Sequence, residues 1–293
     1  MNLFVTVLEI VAPVFLLALV GFAWVKFGFE YRVEFVTRLA MTLAAPCLMF
    51  TALMKTDIDP AALTTLSIAS LATYGAIALV LAIGLKLAGL EQRTYLVALI
   101  FGNTGNLGLP LALFAFGPEG LSYALVVFAV MAVLSFTFGI WVVSGGGSFL
   151  RALKEPIVSA TLLGALFLWQ GWETPRFLTS ALELIGQMLI PLMLITLGVA
   201  VARLTPGRIG QAFVLSFIKV ALCSAIAFGI AGLFDLNEIA RAVLIVQIAT
   251  PVAVTSYMLA EKYGADADAV AGLVVVSTLM SVAAIPLLLA ILL

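Results

Sequence analysis

The chain has no histidine, only two cysteines and little charge: Asp, Glu, Lys and Arg make up 10% of its 293 residues. Without imidazole there are no His metal ligands, no His proton relay and no Ser-His or Cys-His catalytic pair. Cys47 and Cys223 both fall inside apolar runs, where a thiol packs as a small hydrophobe, so neither a disulfide nor a zinc site is expected. Basic residues (14) do not outnumber acidic ones (15), which leaves no basic face for nucleic acid. With no nucleophile–base pair, metal cluster or acid pair, an enzyme is not expected. No catalytic residue, metal ligand or cofactor is assigned.

Hydrocarbon takes the place of charge. Hydrophobic residues make up 64% of the chain and its mean hydropathy is +1.26, whereas a soluble domain carries about 25% charged residues. The fold class expected is an all-α polytopic membrane protein. At about 20 residues per crossing, the apolar runs give about ten spans: 3–25, 35–54, 61–88, 94–116, 121–143, 156–171, 180–202, 209–233, 238–260 and 268–293. The first run has no basic stretch before it and no small-residue cleavage site after it, so it reads as a span and not as a signal peptide.

Loop charges set the orientation. Ten basic residues (Lys26, Arg32, Arg38, Lys86, Arg93, Arg151, Lys154, Arg203, Arg208 and Lys262) fall on one side, and three (Lys55, Arg176 and Arg241) on the other. The crowded side is assigned to the cytoplasm, with both termini outside. The glycine-rich stretch 144–155 reads as a cytoplasmic linker between two five-span halves, 1–143 and 156–293. An odd number of spans per half inverts the second half relative to the first. The prolines repeat accordingly: Pro13, Pro46 and Pro110 are spaced by 33 and 64 residues, and Pro156, Pro191 and Pro251 by 35 and 60.

Two spans should not be continuous helices. Span four contains Gly102-Asn103-Thr104-Gly105-Asn106-Leu107-Gly108-Leu109-Pro110. Each helix-interior glycine costs about 1 kcal/mol and a proline about 3, and the asparagines would bury amides in hydrocarbon. The backbone is expected to unwind near Gly105 and to restart near Pro110, a favourable first helical residue. Span nine carries Gln247-Ile248-Ala249-Thr250-Pro251, where Thr250 could cap and Pro251 could start a second half-helix. Irregular backbone survives at membrane depth only when shielded or facing a watery cavity. Paired breaks in inverted halves mark a midplane substrate site, and two half-helix N-termini aimed at one point suit an anion. The competing explanation is that the glycines serve close helix packing and the prolines only kink. The pairing of both breaks with Asn103, Asn106 and Gln247 favours a site.

Lys219 lies ten residues into span eight, about 15 Å deep at 1.5 Å per residue. Its stem spans about 6 Å, too short to snorkel back to water. It either balances charge, against an anionic substrate or in place of a bound cation, or bonds backbone carbonyls structurally. No acid falls at a span centre; Glu9 and Glu183 sit near outer ends, where interface contacts are expected. Thr42, Thr51, Gln187 and Thr196 are weaker cavity candidates, because Ser and Thr in helices commonly bond their own backbone.

The run from Gly102 to Pro110, followed by Thr250-Pro251, resembles the auxin efflux carrier family, whose bacterial members include malonate and malate permeases. The resemblance covers the whole chain, although plant members carry a long loop where this sequence has the short linker. It implies an elevator-type carrier similar in fold to bile-acid sodium symporters and sodium/proton antiporters. Helices 1, 2, 6 and 7 would form a scaffold, often dimeric, and helices 3–5 and 8–10 a mobile unit. Carried onto this sequence, the crossover spans Asn103 to Pro110 and Gln247 to Pro251. The resulting expectation is a bacterial inner-membrane transporter of a small organic anion, such as malonate, malate or an auxin-like acid. The substrate-binding set is Asn103, Thr104, Gly105, Asn106, Pro110, Gln247, Thr250 and Pro251, with Lys219 balancing charge. Proton or sodium coupling stays open. The alternatives are a sodium-coupled symporter of amphipathic organic anions and a non-transporting metabolite sensor.

Overall fold

The computed structural model describes residues 3–55, 60–145, 156–203 and 208–293, and these are built from helices, with one isolated β-bridge among them. Among the described residues, six helical segments are long and apolar enough to cross a membrane: Val33–Met54, Ala61–Leu87, Thr104–Ser144, Arg176–Arg203, Ile209–Ala231 and Ala267–Leu292. Shorter apolar helices cover Ala12–Lys26 and Ser159–Gln170. The expected linker lies almost wholly outside the described residues, as does the Glu9 side chain.

In chain order, α1 is Leu3–Lys26, α2 Val33–Met54 and α3 Pro60–Leu87. Then come α4, Gln92–Ile100, and α5, 104–116. Gly117, at φ 68° and ψ −161°, separates α5 from α6 (118–144). A side chain is strained at that φ, and this is where the sequence placed the turn between spans four and five. The second half contains α7 (Pro156–Gln170), α8 (Arg176–Arg203, interrupted at Met188) and α9 (Ile209–Ala231). It ends with α10 (Glu238–Ala249), α11 (Val254–Tyr263) and α12 (Ala267–Leu292).

Small residues set the closest helix contacts. A Cβ on Gly198 would lie 1.7 Å from the Ala18 carbonyl oxygen, and one on Gly21 2.0 Å from that of Ile195, so α1 and α8 touch backbone to backbone. Gly164 of α7 packs on Leu53 and Phe50, and Gly186 of α8 on Leu48, both against α2. These contacts join α1, α2, α7 and α8. Lys55 at the end of α2 also pairs with Glu183 of α8.

The remaining helices are joined at their ends. Arg93 of α4 donates to the carbonyls of Val143 (α6) and Tyr263 (α11), both at 3.1 Å. Arg208, just before α9, donates to the Tyr95 hydroxyl at 3.3 Å and pairs with Asp266, the N-cap of α12, at 3.0 Å. The Tyr95 bond and the Asp266 charge hold the Arg208 pKa above its ordinary value. Asn237 caps α10 by accepting from the Ala240 N–H at 2.7 Å and donates to the Tyr123 hydroxyl of α6, also at 2.7 Å.

Among the described residues, three π-turns interrupt the helices: Ala40–Ala44 in α2, Thr104–Gly108 at the start of α5 and Ser135–Gly139 in α6. The first two end two residues before a proline, Pro46 and Pro110. Proline has no N–H for the carbonyl four residues back and its ring crowds that oxygen, so a wider turn relieves both problems. In the third, the Thr137 hydroxyl donates to the Val133 carbonyl at 2.6 Å and competes with the backbone ladder.

Candidate functional site

Both expected interruptions are present, and they meet. The segment after α4 and the segment after α10 run antiparallel, bridged at Gly102 and Val252. The Asn103 N–H donates to the Pro251 carbonyl at 2.6 Å, and the Ala253 N–H to the Phe101 carbonyl at 3.4 Å. Two unwound stretches thus satisfy each other's backbone in a place where water cannot. Gly102 permits the approach: a Cβ there would lie 2.2 Å from Thr250 Oγ1 and 3.0 Å from the Thr250 carbonyl oxygen.

The break positions differ in detail from the sequence expectation. Unwinding occurs at Phe101–Asn103 rather than near Gly105, and α5 restarts at Thr104, so Gly105 and Pro110 lie inside the restarted helix. The cross-strand bonds hold residues 101–103 extended, and the π-turn then absorbs Pro110 without ending the helix. In the second half, Pro251 lies in the extended segment and α11 starts at Val254. Thr250 closes the end of α10 instead of capping α11: its hydroxyl donates to the Gln247 carbonyl at 2.7 Å. That carbonyl lacks its usual partner because residue 251 is a proline. Pro110 and Pro251 are therefore not geometric equivalents.

A cavity of about 40 Å³ lies against the crossing. Asn103, Gly105 and Asn106 line it from the start of α5, and Ala253, Val254 and Thr255 from the start of α11. Phe128, Met131 and Ser135 of α6 and Met41 of α2 close it. Both restarted helices thus present their first turn, with its unpaired N–H groups and partial positive charge, to one small space. At about 10–15 Å³ per water, it holds about three water molecules. Asn103 is 4% exposed and its Nδ2 has no hydrogen-bond partner.

Of the residues expected to bind substrate, Asn103, Gly105 and Asn106 line this cavity; Thr104, Pro110, Gln247, Thr250 and Pro251 do not. Thr104 and Gln247 are fully buried, and neither the Thr104 hydroxyl nor either polar atom of the Gln247 amide has a partner. Gln247 packs under α5, where a Cβ on Gly108 would lie 2.1 Å from its Oε1. Thr51 and Thr196 bond backbone carbonyls of their own helices, as Thr in membrane helices commonly does.

Sequence reasoning missed Met41, Phe128, Met131, Ser135, Ala253 and Val254. All three π-turns contribute a lining residue: Met41, then Gly105 and Asn106, then Ser135. Pro46 and Pro110 gave a signal for two of these turns. A larger cavity of about 460 Å³ between α2, α3, α6 and α7 is lined mainly by apolar side chains such as Leu53, Leu63, Val130, Leu168 and Trp169. Its polar lining is the hydroxyls of Thr64, Ser67 and Thr161, and Ser67 donates to the Leu63 carbonyl of its own helix.

The profile of the family described as membrane transport protein matches residues 6–147 and 140–289. The chain belongs to this family, the auxin efflux carriers. It is 26% identical over 295 residues to a transporter of Methanothermobacter thermautotrophicus, covering 95% of this chain and 96% of that protein. It is also 26% identical over 215 residues to a transporter of Methanocaldococcus jannaschii, covering 69% and 67%. A protein of Rhizobium meliloti named "Putative malonate transporter" is 24% identical over 263 residues, covering 83% and 82%. The membership makes this chain a membrane transporter and gives it a small-molecule substrate.

Proposed function

We propose that this family member carries a small organic anion, a mono- or dicarboxylate of malonate size, bound where the two interrupted helices meet. One observation carries the reading: the first turns of α5 and α11 face a single cavity that also holds the unpartnered Asn103 Nδ2. A carboxylate there would accept from backbone N–H groups, the Asn103 Nδ2 and the hydroxyls of Thr255 and Ser135. Such charge-assisted bonds are about twice as strong as neutral ones, and the two helix dipoles add to them. The name of the Rhizobium meliloti relative supports this substrate class.

The chain crosses a bacterial inner membrane ten times with both termini outside, α4–α5 and α10–α11 each forming one broken crossing of two inverted halves. The unit containing the crossing is α3–α6 with α9–α12, and it moves against α1, α2, α7 and α8, which pair as the dimer scaffold. The glycine contacts within the second group and the arginine ties within the first support this partition. A cavity of about 40 Å³ is small for a dicarboxylate, so substrate entry accompanies that movement.

Counterflow of labelled malonate into proteoliposomes tests the proposal. Saturable uptake, competed by other short dicarboxylates, is expected. Absence of saturable flux for every mono- and dicarboxylate tried would remove it.

A further inference from the structure

Lys219 is the only fully buried charged side chain among the described residues, at 1% exposure, and the binding site just proposed does not use it. No described carboxylate pairs with it; its Nζ donates to the Leu99 carbonyl at 3.0 Å. That carbonyl is special because in a continuous helix it would accept from the N–H four residues on, at Asn103. The crossing diverts the Asn103 N–H to Pro251, leaving the Leu99 oxygen unpaired in the last turn of α4, the negative end of that half-helix. The Lys219 ammonium fills the vacancy from α9. Cys223, one turn further along α9, points its Sγ at the same oxygen from 3.9 Å. Tyr74 of α3 packs its ring on Phe101 at the start of the break, and its hydroxyl has no partner. Cys223 and Tyr74 are the titratable neighbours, and neither offers a fixed negative charge.

The opposite half-helix solves the same problem without charge. At the end of α10 the Gln247 carbonyl accepts from the Thr250 hydroxyl and from no cation. One carboxyl-terminal end is therefore closed by a hydroxyl and the other by a lysine Nζ. Unwound carbonyls and half-helix C-termini are where carriers of this general design coordinate alkali cations.

We infer that Lys219 is a built-in cation: its ammonium occupies the cation position at the end of α4, so this carrier binds no sodium there and runs without it. The consequence for transport rests on the carboxylate reading above; the claim about ion binding does not.

The test is thermal unfolding of the purified full chain in sodium chloride and in choline chloride at equal ionic strength, with wild type, Lys219→Ala and Lys219→Arg. The expected wild-type midpoint is the same in both salts to within about 1 °C. Lys219→Ala should unfold earlier in choline and recover part of the loss as sodium is raised, along a saturating curve, because only the folded state offers the emptied carbonyl. Lys219→Arg keeps the charge and should show no sodium response. A saturable sodium stabilisation of wild type overturns the inference, and so does a folded Lys219→Ala protein indifferent to sodium. If Lys219→Ala does not fold, the wild-type comparison decides alone. In proteoliposomes, carboxylate flux equal in sodium and choline is expected. Flux that requires sodium sinks the inference while leaving the carboxylate reading intact, and absence of any carboxylate flux sinks that reading while the unfolding comparison still judges Lys219.

Discussion

Replacing Gly102 by alanine tests the crossing directly, because the packing there is fixed by backbone rather than by adjustable side chains. The new Cβ would lie 2.2 Å from Thr250 Oγ1, 3.3 Å from Thr250 Cβ and 3.0 Å from the Thr250 carbonyl oxygen. Gly102 does not have a positive φ, so alanine meets no intrinsic backbone strain and the cost is contact alone. Rotating Thr250 away would break its hydroxyl bond to the Gln247 carbonyl, a loss of about 1 kcal/mol. The 3.0 Å backbone contact would remain and force the two segments apart, at about 1–3 kcal/mol for overpacking. The sum is about 2–4 kcal/mol, seen as a melting midpoint several degrees lower in detergent. Separating the segments also disturbs the Asn103–Pro251 bond, so malonate counterflow should fall along with stability. The double variant Gly102→Ala, Thr250→Ala removes the nearest clash and should recover part of the loss, with a coupling of about 1–3 kcal/mol between the two sites. A Gly102→Ala protein that melts and transports as wild type, or strictly additive variants, would show that the segments do not touch as described.

Other outcomes follow from the same geometry. Asn103→Ala should lower carboxylate flux about tenfold or more, the equivalent of about 1.4 kcal/mol, while Asn103→Asp should nearly abolish it by placing like charge against the substrate; counterflow beside a melting curve separates flux from folding. Gly198→Ala puts a Cβ 1.7 Å from the Ala18 carbonyl oxygen and should destabilise markedly, whereas Gly229→Ala, with nothing within 4 Å, should be neutral or stabilising by up to about 1 kcal/mol. Glu183→Gln breaks the half-exposed pair with Lys55 and should change stability by less than about 1 kcal/mol with flux unaltered. Burial pushes the Tyr31 phenol above its ordinary pKa, against the smaller opposing effect of its 2.8 Å bond to Thr196. The folded state then holds this proton more tightly than the unfolded chain, so stability should fall as pH rises through about 10; Tyr31→Phe should flatten that part of the melting-point profile.

The primary sequence settled the solvent of this protein and the places where its helices fail. Sparse charge and long apolar runs admit only a bilayer interior, and the Gly–Asn–Pro run and Thr250-Pro251 cannot both stay helical, because propensity and missing N–H donors act locally. Lys219, too deep to snorkel, called for a partner or a wet cavity by its place in the span alone. Tertiary contact decided how each break is used. Residues 101–103 are extended because Pro251 and Ala253 supply their hydrogen bonds, so the restart falls at Thr104 and the proline at 110 is carried inside a helix. Gln247 and Thr250 are polar residues at the right depth in the sequence, yet packing turns one under Gly108 and uses the other to close α10. Met41 and Ser135 line the cavity from wide turns in α2 and α6. The identity of the Lys219 partner, a carbonyl orphaned by a strand from the other half of the chain, depends on two segments about 150 residues apart meeting; no local rule encodes such a meeting.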